Sequence, residues 1–585
     1  MSKQTKNSAR QAGGSAQLAM ICGLLLAAAS GALADDHADA RFRGTGRADP
    51  IRIENVRRSD GPVGGQSSIT FDLAWDHSWR AAWKESADRH GGTGTLSVEN
   101  WDAAWVFVKF RKPGADGYSQ ATLSTDREDH RVPVGAALDV GPTDDGKRGL
   151  GVFVYRAAAG SGANDWKGVT LRWLHGADGV DDPGAVDLRV LAVEMVYVPK
   201  GAFWAGDGAT TEMAAQFSAG KTAAPFRIES EDAIALGGES KKNLGNRDTL
   251  GMFQAEDFTG GLTQTLPAQF PKGYAAVYCM RYEITEGQYV AFLNAVNFAE
   301  QGRLTGVGAN AAAGSPIAEG KRNRIKIAVP GIPSPGAQEV SRRDTVVRTV
   351  AGKPATPAVY ETDTPYVACG AKRGINGGAY AAWAGLRPMT ELEYEKACRG
   401  PLKPVPDEYA WGTAGIAGTN NPNPPYDGYA LRNPGKPDEH VVWEGENGPD
   451  ATRGNAAWNG SVTRDRDSYA VNAINGPLRV GIFATPDSGR VAAGASYWGI
   501  MELSGNLWEQ AVTVGNHIGR RFAGAHGDGT VAQPEGWNGL KVRGGGCLGR
   551  GDRKRELRTS DRMSNAGGSA IGFRCVRTAP GAKSE

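Results

Sequence analysis

The sequence predicts an α+β protein in two parts, a β-sandwich domain over residues 51–193 and an irregular domain with short helices over residues 194–578. Short runs of alternating apolar and polar residues fill the first part, which is typical of antiparallel strands. Two capping boxes in the second part predict helix starts. Glycine supplies 82 of the 585 residues, about twice its average share, which indicates many turns with positive φ.

The charge balance limits the kinds of partner. The chain has 66 Lys and Arg against 64 Asp and Glu, a net charge of +2. This balance provides no general surface for polyanions, so no nucleic-acid partner is predicted. With 40% apolar and 22% charged residues, the composition is that of a globular protein.

The N-terminus has the pattern of a secretory signal peptide over residues 1–34. Basic residues come first, an apolar run over 18–29 follows, and Ala32-Leu33-Ala34 forms a cleavage site. The apolar run is too short to cross a membrane, and no later run is long enough. We therefore expect export to the periplasm or the extracellular space, a mature chain with no transmembrane segment, and a linker over residues 35–50.

The first part contains about seven alternating runs, and tryptophans are concentrated in it. The clearest runs cover residues 69–73, 105–110, 152–155, 169–173 and 186–191. The tryptophans suit either an aromatic platform for sugars or the core and rim of the sandwich, and the second interpretation is favoured. They are Trp75, Trp79, Trp83, Trp101 and Trp105.

Helices in the second part are predicted from their starts. Thr285 and Gln288 form one capping box, and Thr390 and Glu393 form another, so helices are predicted over 285–296 and 390–398. A third helix is predicted over 377–384. The weakly periodic stretches 205–272 and 300–362 are interpreted as long insertions.

Six sequence blocks in the second part, taken together, resemble the formylglycine-generating enzyme (sulfatase-modifying factor) family. The similarity covers residues 194–578 and implies an irregular fold of the C-type-lectin-like kind. The Leu-Ser-Gly-Asn-Leu-Trp-Glu run is similar to the family's "DMSGNVWEW", and Gly572-Phe-Arg-Cys575 is similar to its closing motif. The blocks cover residues 195–203, 282–289, 383–412, 497–509, 542–546 and 572–575.

The resemblance implies that the copper site is missing. Copper-dependent members hold Cu(I) between two cysteines that follow a Gly-Gly-Ser motif, because a soft ion suits soft sulfur ligands. Those two positions are Gly549 and Lys554 here, and the serine is Gly546. Cys547 lies nearby without a second thiol, so it is a weak catalytic candidate and copper is not expected.

A structural Ca²⁺ site is implied at the "DMSGNVWEW" turn. Carried over one by one, its ligands are the Glu502 side chain, the carbonyls of Gly505 and Leu507, and the Glu509 side chain. Hard oxygen ligands that include two carboxylates suit Ca²⁺.

Five cysteines follow the signal peptide, so at least one must lack a partner within the chain. The resemblance places the usual disulfide partners of Cys398 and Cys575 at Thr559 and Ala381. Re-pairing is therefore predicted, with Cys575 to Cys369 as the first choice.

A basic stretch lies in the segment that lines the family's substrate groove. A run of this kind is usually a solvated face, but its place also fits an anionic ligand. Its candidate ligand-binding residues are Arg550, Arg553, Lys554 and Arg555, followed by Arg558 and Arg562.

Two functions remain open. The favoured hypothesis is an exported binding or scaffold protein without copper oxidase activity, whose ligand is a protein, a peptide or a glycan. The alternative is a formylglycine-generating or related protein-modifying oxidase with a displaced site, using Cys547 with Cys575 or Cys369. Fold alone does not choose between them.

Overall fold

The structure is a computed structural model, and strands outnumber helices in it. The ranges that it describes are residues 37–61, 64–209, 214–248, 256–318, 322–334, 354–370, 375–418, 428–458, 462–465, 476–545, 554–562 and 571–581. The strands of the first part are β1 (Arg52–Asp60), β2 (Ser67–Glu85), β3 (Leu96–Arg111), β4 (Ser119–Gln120), β5 (Ala136–Pro142), β6 (Gly149–Arg156), β7 (Gly160–Trp173) and β8 (Asp187–Val198), with helix α1 (Ala87–His90) between β2 and β3.

The strands of the second part are shorter. They are β9 (Phe203–Ala205), β10 (Ala214–Ala219), β11 (Phe226–Ile228), β12 (Ile234–Leu236), β13 (Leu244–Asp248), β14 (Gln264–Leu266), β15 (Val277–Met280), β16 (Lys326–Val329), β17 (Val359–Glu361), β18 (Arg387–Thr390), β19 (Gly415–Ile416), β20 (Gly428–Arg432), β21 (His440–Glu444), β22 (Arg453–Gly454), β23 (Val462–Asp465), β24 (Trp508–Val512), β25 (Leu540–Arg543), β26 (Ile571–Gly572) and β27 (Cys575–Thr578). Its helices are α2 (Glu286–Leu293), α3 (Phe298–Thr305), α4 (Gly377–Trp383), α5 (Glu391–Arg399) and α6 (His517–Arg520).

The first part consists of two antiparallel layers that pack face to face and are joined where β2 pairs with β3, over residues 80–85 and 96–101. β2 pairs with β1 and β7 in one layer, while β3 pairs with β6 and β8 in the other, and β5 extends that layer beyond β6. Alternate residues of these strands point inward and form an apolar core, as the period-2 runs predict. The core includes Ile69, Phe71, Leu73, Trp75, Val106, Val108, Phe110, Val152, Val154, Val169, Leu171 and Trp173.

The clustered tryptophans are packing residues. Trp75, Trp79 and Trp105 are fully buried, and Trp83 and Trp101 are only 7% and 8% exposed. Trp75 and Trp79 also donate from their indole nitrogens to Asp102 and Asn100, at 2.7 Å each. An exposed sugar-binding platform made of these five rings is therefore ruled out, and the core interpretation is confirmed.

One strand connects the two parts. β8 pairs with β3 over residues 187–196 and with β15 over residues 195–198. The sheet therefore runs without interruption in the order β1-β2-β3-β8-β15-β27-β18-β24-β25. The domain boundary predicted at residues 193 and 194 lies inside this strand.

The second face of β3 packs on the helices of the second part. Trp105 donates to the Ala384 carbonyl at 2.8 Å, and the buried Lys109 ammonium donates to the carbonyls of Trp383 and Gly529 at 2.6 and 2.7 Å. Because both faces of β3 are covered, its residues from 98 to 110 are nearly all buried.

Both capping boxes are present. The Thr285 hydroxyl accepts from the Gln288 amide at 3.2 Å, and the Gln288 side chain accepts from the Thr285 amide at 3.0 Å. Thr390 and Glu393 form the equivalent pair at the start of α5. α2 ends at Leu293, three residues before the predicted end, because Asn297 caps a new helix by accepting from the Glu300 amide at 2.9 Å.

The segment expected to be a linker is packed from its first described residues. Ala38–Phe42 forms a 3-10 turn whose side chains are buried except at Asp39. The Arg41 guanidinium stacks on the rings of Phe42 and Trp83, 4.2 Å from each centroid, and donates to the Tyr497 carbonyl at 2.9 Å. We call residues 38–51 the N-terminal clasp, because they pack on both parts of the chain.

Candidate functional site

The turn before β24, residues 502–509, contains the predicted calcium ligands and contacts a further carboxylate, Glu283. We call it the acidic turn. Glu502 and Asn506 have positive φ angles of 56° and 61°, and Gly505 has a φ of 106°, so the chain folds back tightly there. This fold-back brings the Leu507 amide within 2.9 Å of Glu283, which precedes α2. Glu283, Glu502 and Glu509 are all buried.

Each of the three carboxylates has a different hydrogen-bond environment. Glu283 accepts from the Leu507 amide and, at 2.5 Å, from the Asn506 side chain. Glu502 accepts from the Gly481 amide at 2.7 Å. Glu509 accepts two bonds from the Arg574 guanidinium, at 2.7 and 2.9 Å.

Burial is the main cause of the raised pKa values of these three carboxyl groups. It raises the pKa of Glu502 to about 7, and the nearby Arg574 only partly opposes this effect. Burial and the charge of Glu509 raise the pKa of Glu283 well above its usual range. A cluster of this kind is stable only if protons or a cation offset the negative charge.

The donor chemistry of the turn fits a hard cation. Glu502 Oε2 and Glu509 Oε2 are buried and have no hydrogen-bond partner within the described part of the chain. Carboxylate oxygens of this kind are suitable ligands for Ca²⁺. The described residues contain no group of three or more His, Cys, Asp or Glu side chains arranged for a metal, but the expected site has only two such side chains.

Glu283 was not predicted as a member of this cluster. It stands in the Tyr-Glu-Ile-Thr block that sequence analysis used only as a helix start. The available signal was an acidic residue within a motif, and the separation of 224 positions between Glu283 and Leu507 gave no indication that they are in contact.

Most of the copper-site positions lie outside the described residues, including Gly546, Cys547 and Gly549. Arg550 and Arg553 lie outside them too. Lys554 is described and begins a 3-10 turn, Lys554–Leu557. Its ammonium lies 5.4 Å from the centroid of the Trp458 ring. Arg555 follows on the same turn and is half-buried.

The last arginines of the basic stretch have internal partners. Arg558 forms an ion pair with Asp407 at 2.8 Å. Arg562 is buried and bridges Glu256 and Glu391, at 2.8 Å each. A solvated face is therefore wrong for Arg562, because two buried carboxylates require its charge.

The predicted disulfide is also wrong. Cys279, Cys369, Cys398 and Cys575 are free thiols and all four are buried. Cys369 and Cys575 are both enclosed in the apolar core that also contains Tyr380. Burial raises the pKa of both thiols, so neither carries the thiolate that exchange or metal binding requires.

A cavity of about 270 Å³ opens beside β24 and the closing motif. Gln510 lines it at the position where the family's "WEW" has its second tryptophan, and Cys575 forms part of its wall. Trp537, Phe573 and Asn376 also contribute to that wall. We call it the β24 cavity, and it is large enough for a small side chain or molecule.

Comparison with known protein families identifies a domain in this chain. Residues 251–579, which make up more than half of the chain, match the sulfatase-modifying factor enzyme 1-like domain. The chain belongs to this family. The predicted resemblance is thereby confirmed, and the acidic turn, α2, α5 and the β24 cavity all lie inside the sulfatase-modifying factor domain. A search of curated proteins found no match.

The sulfatase-modifying factor domain is preceded by the two-layer β part, which lies outside the matched range. Of the helices that the structure describes, none is both long and apolar enough to cross a membrane.

Proposed function

We propose that this chain is a binding member of the sulfatase-modifying factor family and does not catalyse copper-dependent oxidation of cysteine. The observation that carries the proposal is the pair of residues at the copper-ligand positions, Gly549 and Lys554. Glycine offers no ligand. An ammonium group repels a cation, and Lys554 is directed at the face of Trp458.

The remaining thiols support the same proposal. A Cu(I) site needs two thiolates, and Cys547 would have to find its partner among the other cysteines. Cys279, Cys369 and Cys398 are at most 1% exposed, and burial raises the pKa of each. A second thiolate is thus costly at each of these positions.

The test is an activity assay with a matched gain of function. Purified protein is incubated with Cu(I), oxygen and a Cys-x-Pro-x-Arg peptide, and the aldehyde is sought by mass spectrometry. We expect no product from the wild type. Gly549→Cys with Lys554→Cys is expected to restore Cu(I) binding, whereas each single change is not. Wild-type turnover that disappears in Cys547→Ser would overturn the proposal.

The alternative function has one observation in its favour. Cys575 lines the β24 cavity, whereas the other described cysteines do not. A protein-modifying oxidase that paired Cys547 with Cys575 would be inactivated equally by Cys547→Ser and by Cys575→Ser. Cys398→Ser changes a buried thiol that does not line the β24 cavity, and it is the matched control for loss of stability.

For the binding role, we propose that an anionic protein, peptide or glycan contacts the basic stretch that contains Arg550, Arg553, Lys554 and Arg555. Charge reversal by Lys554→Glu with Arg555→Glu would then weaken binding and reduce its salt dependence. Arg148→Glu, an exposed position in the β part, serves as the control.

We further propose that Ca²⁺ stabilises the acidic turn, held by the side chains of Glu502 and Glu509 and the carbonyls of Gly505 and Leu507. The two unpaired carboxylate oxygens support this proposal. An ion that binds only the folded state raises its stability, so excess chelator would lower the melting temperature. Glu502→Gln would remove most of this response, and an unchanged wild-type melting curve in chelator would contradict the proposal.

Export completes the proposed function, with residues 1–34 as a cleaved signal peptide. The N-terminal sequence of the secreted protein tests it, since cleavage after Ala34 leaves Asp35 first. A mature protein that keeps residue 1 would contradict it.

A further inference from the structure

A second cavity lies where the N-terminal clasp, the β part and the sulfatase-modifying factor domain meet. Its volume is about 240 Å³. The clasp forms one wall from Gly44 to Ile51, β8 forms another from Ala192 to Glu194, and the helix α2 forms a third with Gly287 and Ala291. We call it the junction cavity.

The lining of the junction cavity is mostly apolar. The apolar contributions come from Ile51, Val193, Met280, Ala291 and Val480. Small-molecule sites in proteins combine a wall of this kind with a few polar groups that fix orientation. The nature of those groups therefore decides which ligand the cavity suits.

Glu194 is a polar group with an unused oxygen. Its side chain is 7% exposed, and Oε1 accepts from Arg281 at 2.6 Å. The other oxygen, Oε2, has no hydrogen-bond partner among the residues that the structure describes. Because Glu194 lines the junction cavity, a bound molecule is the available partner for this oxygen.

His77 adds a second free acceptor. Its Nε2 lies 2.8 Å from the Ala40 carbonyl, and a carbonyl can only accept, so Nε2 carries the proton. Nδ1 is then an acceptor. Burial lowers the pKa of His77 to about 3, which keeps the ring neutral. The cavity thus presents acceptors that lack donors.

Charge in the wall favours a cationic donor. Three carboxyl groups, Asp49, Glu194 and Glu283, line the cavity beside two arginines, Arg47 and Arg479. Burial raises the pKa of Glu194 to about 8, and a cation bound beside it would oppose this effect and favour the charged carboxylate. The Arg479 guanidinium already donates to the carbonyls of Glu439, Val480 and Gly46. An anionic ligand would therefore face acceptors that lack donors, and it would oppose ionisation of these carboxyl groups.

We propose that the junction cavity binds a small primary amine with an apolar body, whose ammonium group donates to Glu194 Oε2. The apolar body fills the space between Ile51, Met280 and Ala291. An ammonium has three donors, which matches a site with several free acceptors. The inference holds whether or not the chain oxidises cysteine, because Lys554 and the β24 cavity contribute nothing to this wall.

The experiment uses benzylamine and cyclohexylmethylamine as probes, with benzyl alcohol and benzoate as matched controls. Binding to the mature full-length protein is measured by calorimetric titration and saturation-transfer NMR at fixed calcium, since Glu283 borders the acidic turn as well. We expect at least one amine to bind saturably and at least tenfold more tightly than benzoate. Saturable binding of neither amine, or equal binding of benzoate, would overturn the proposal.

Two variants locate the site. Ala291→Leu fills the cavity from α2 and is expected to weaken amine binding at least tenfold, while Ala312→Leu, at an exposed position, leaves it unchanged. Glu194→Gln keeps a carbonyl acceptor for Arg281 and is expected to weaken the amines tenfold without changing benzyl alcohol. If Ala291→Leu binds amines as the wild type does, the junction cavity is not the site.

Discussion

The β part and the sulfatase-modifying factor domain contribute strands to one sheet, yet different side chains surround those strands. Between the layers of residues 51–193, the core consists of Ile, Leu, Val, Phe and Trp side chains on long regular strands. In the domain, the strands are two to six residues long, and buried arginines occupy the space beside them. Arg562, Arg574 and Arg399 are each 2% exposed or less, and each contacts at least one buried glutamate.

This difference follows from backbone regularity. Long strands satisfy their amides and carbonyls in the ladder, so apolar side chains suffice between the layers. Short strands joined by turns leave carbonyls unpaired, and a planar guanidinium can donate to several of them at once. Arg574 does so, since it bonds Glu509 and also the carbonyls of Met280 and Met501.

The largest effect is expected from removing a buried charge in the domain. Arg562→Met leaves Glu256 and Glu391 without their shared partner, so the free energy of unfolding is expected to fall by about 3–5 kcal/mol. Urea denaturation measures it. Arg148→Met, at an exposed position in the β part, is the control with an effect near zero, and equal effects of the two changes would refute the comparison.

The next largest difference in stability between the two parts is expected from conservative substitutions. Arg574→Lys keeps the charge but loses the fork that reaches three elements, and we expect a loss of about 2–3 kcal/mol. Leu73→Met, in the apolar core, conserves volume and is expected to cost less than about 1.5 kcal/mol. A larger effect of Leu73→Met would show that packing shape, rather than donor geometry, is the more restrictive requirement.

A third prediction concerns pH at the contact between the two parts. His526 lies between Asp144, which accepts from Nδ1 at 2.7 Å, and the Thr578 amide, which donates to Nε2 at 3.1 Å. Burial and Arg577 lower the pKa of His526 from 6.5 to about 3. The unfolded chain therefore binds a proton below pH 6.5 that the folded chain does not, and stability is lost as the pH falls from 6.5 towards 3.

Comparison of the wild type with His526→Gln isolates this contribution, because all other titrating groups are shared. Between pH 7 and pH 5.5, the wild type is expected to lose about 1.3 kcal/mol more than the variant. Parallel stability curves over this range would mean that His526 has the same pKa in the folded and unfolded chains.

The smallest effect is expected at helix caps. Asn297→Ala removes the acceptor for the Glu300 amide in the domain and is expected to cost about 1 kcal/mol. Ser86→Ala, at the start of α1 in the β part, is expected to cost less than about 0.5 kcal/mol, because the Ser86 side chain makes no cap bond. Thermal unfolding of both variants is the measurement, and a reversed order would show that the Asn297 cap bond does not stabilise α3.

Local features were predictable from the sequence where one short segment contains the whole signal. The alternation in residues 69–73 and 169–173 indicates strands, and Thr285 with Gln288 indicates a helix start, because both patterns arise from neighbouring residues. The pairing of β8 with both β3 and β15 was not predictable, since alternation identifies a strand but not its neighbours. The same alternation therefore could not show that the sheet is continuous.

Charged residues of the site were harder to predict than apolar ones. Arg562 looked like part of a solvated run, because nothing near it in sequence shows that Glu256, 306 positions away, lies beside it. The carboxylates of the acidic turn were predicted in part, since Glu502 and Glu509 share a motif with the family. Glu283 belongs to another block, and only the folded chain brings it to the same place.

The N-terminal clasp constrains the order in which this chain can fold. Arg41 bonds the Tyr497 carbonyl across 456 positions, so the first described residues dock on a surface made by some of the last. During synthesis, the β part and the clasp emerge long before residues 480–501 do. Loops of this length close slowly. The native state is therefore reached only after nearly the whole chain is available. Until the clasp docks, Trp83 and the wall of the junction cavity remain uncovered.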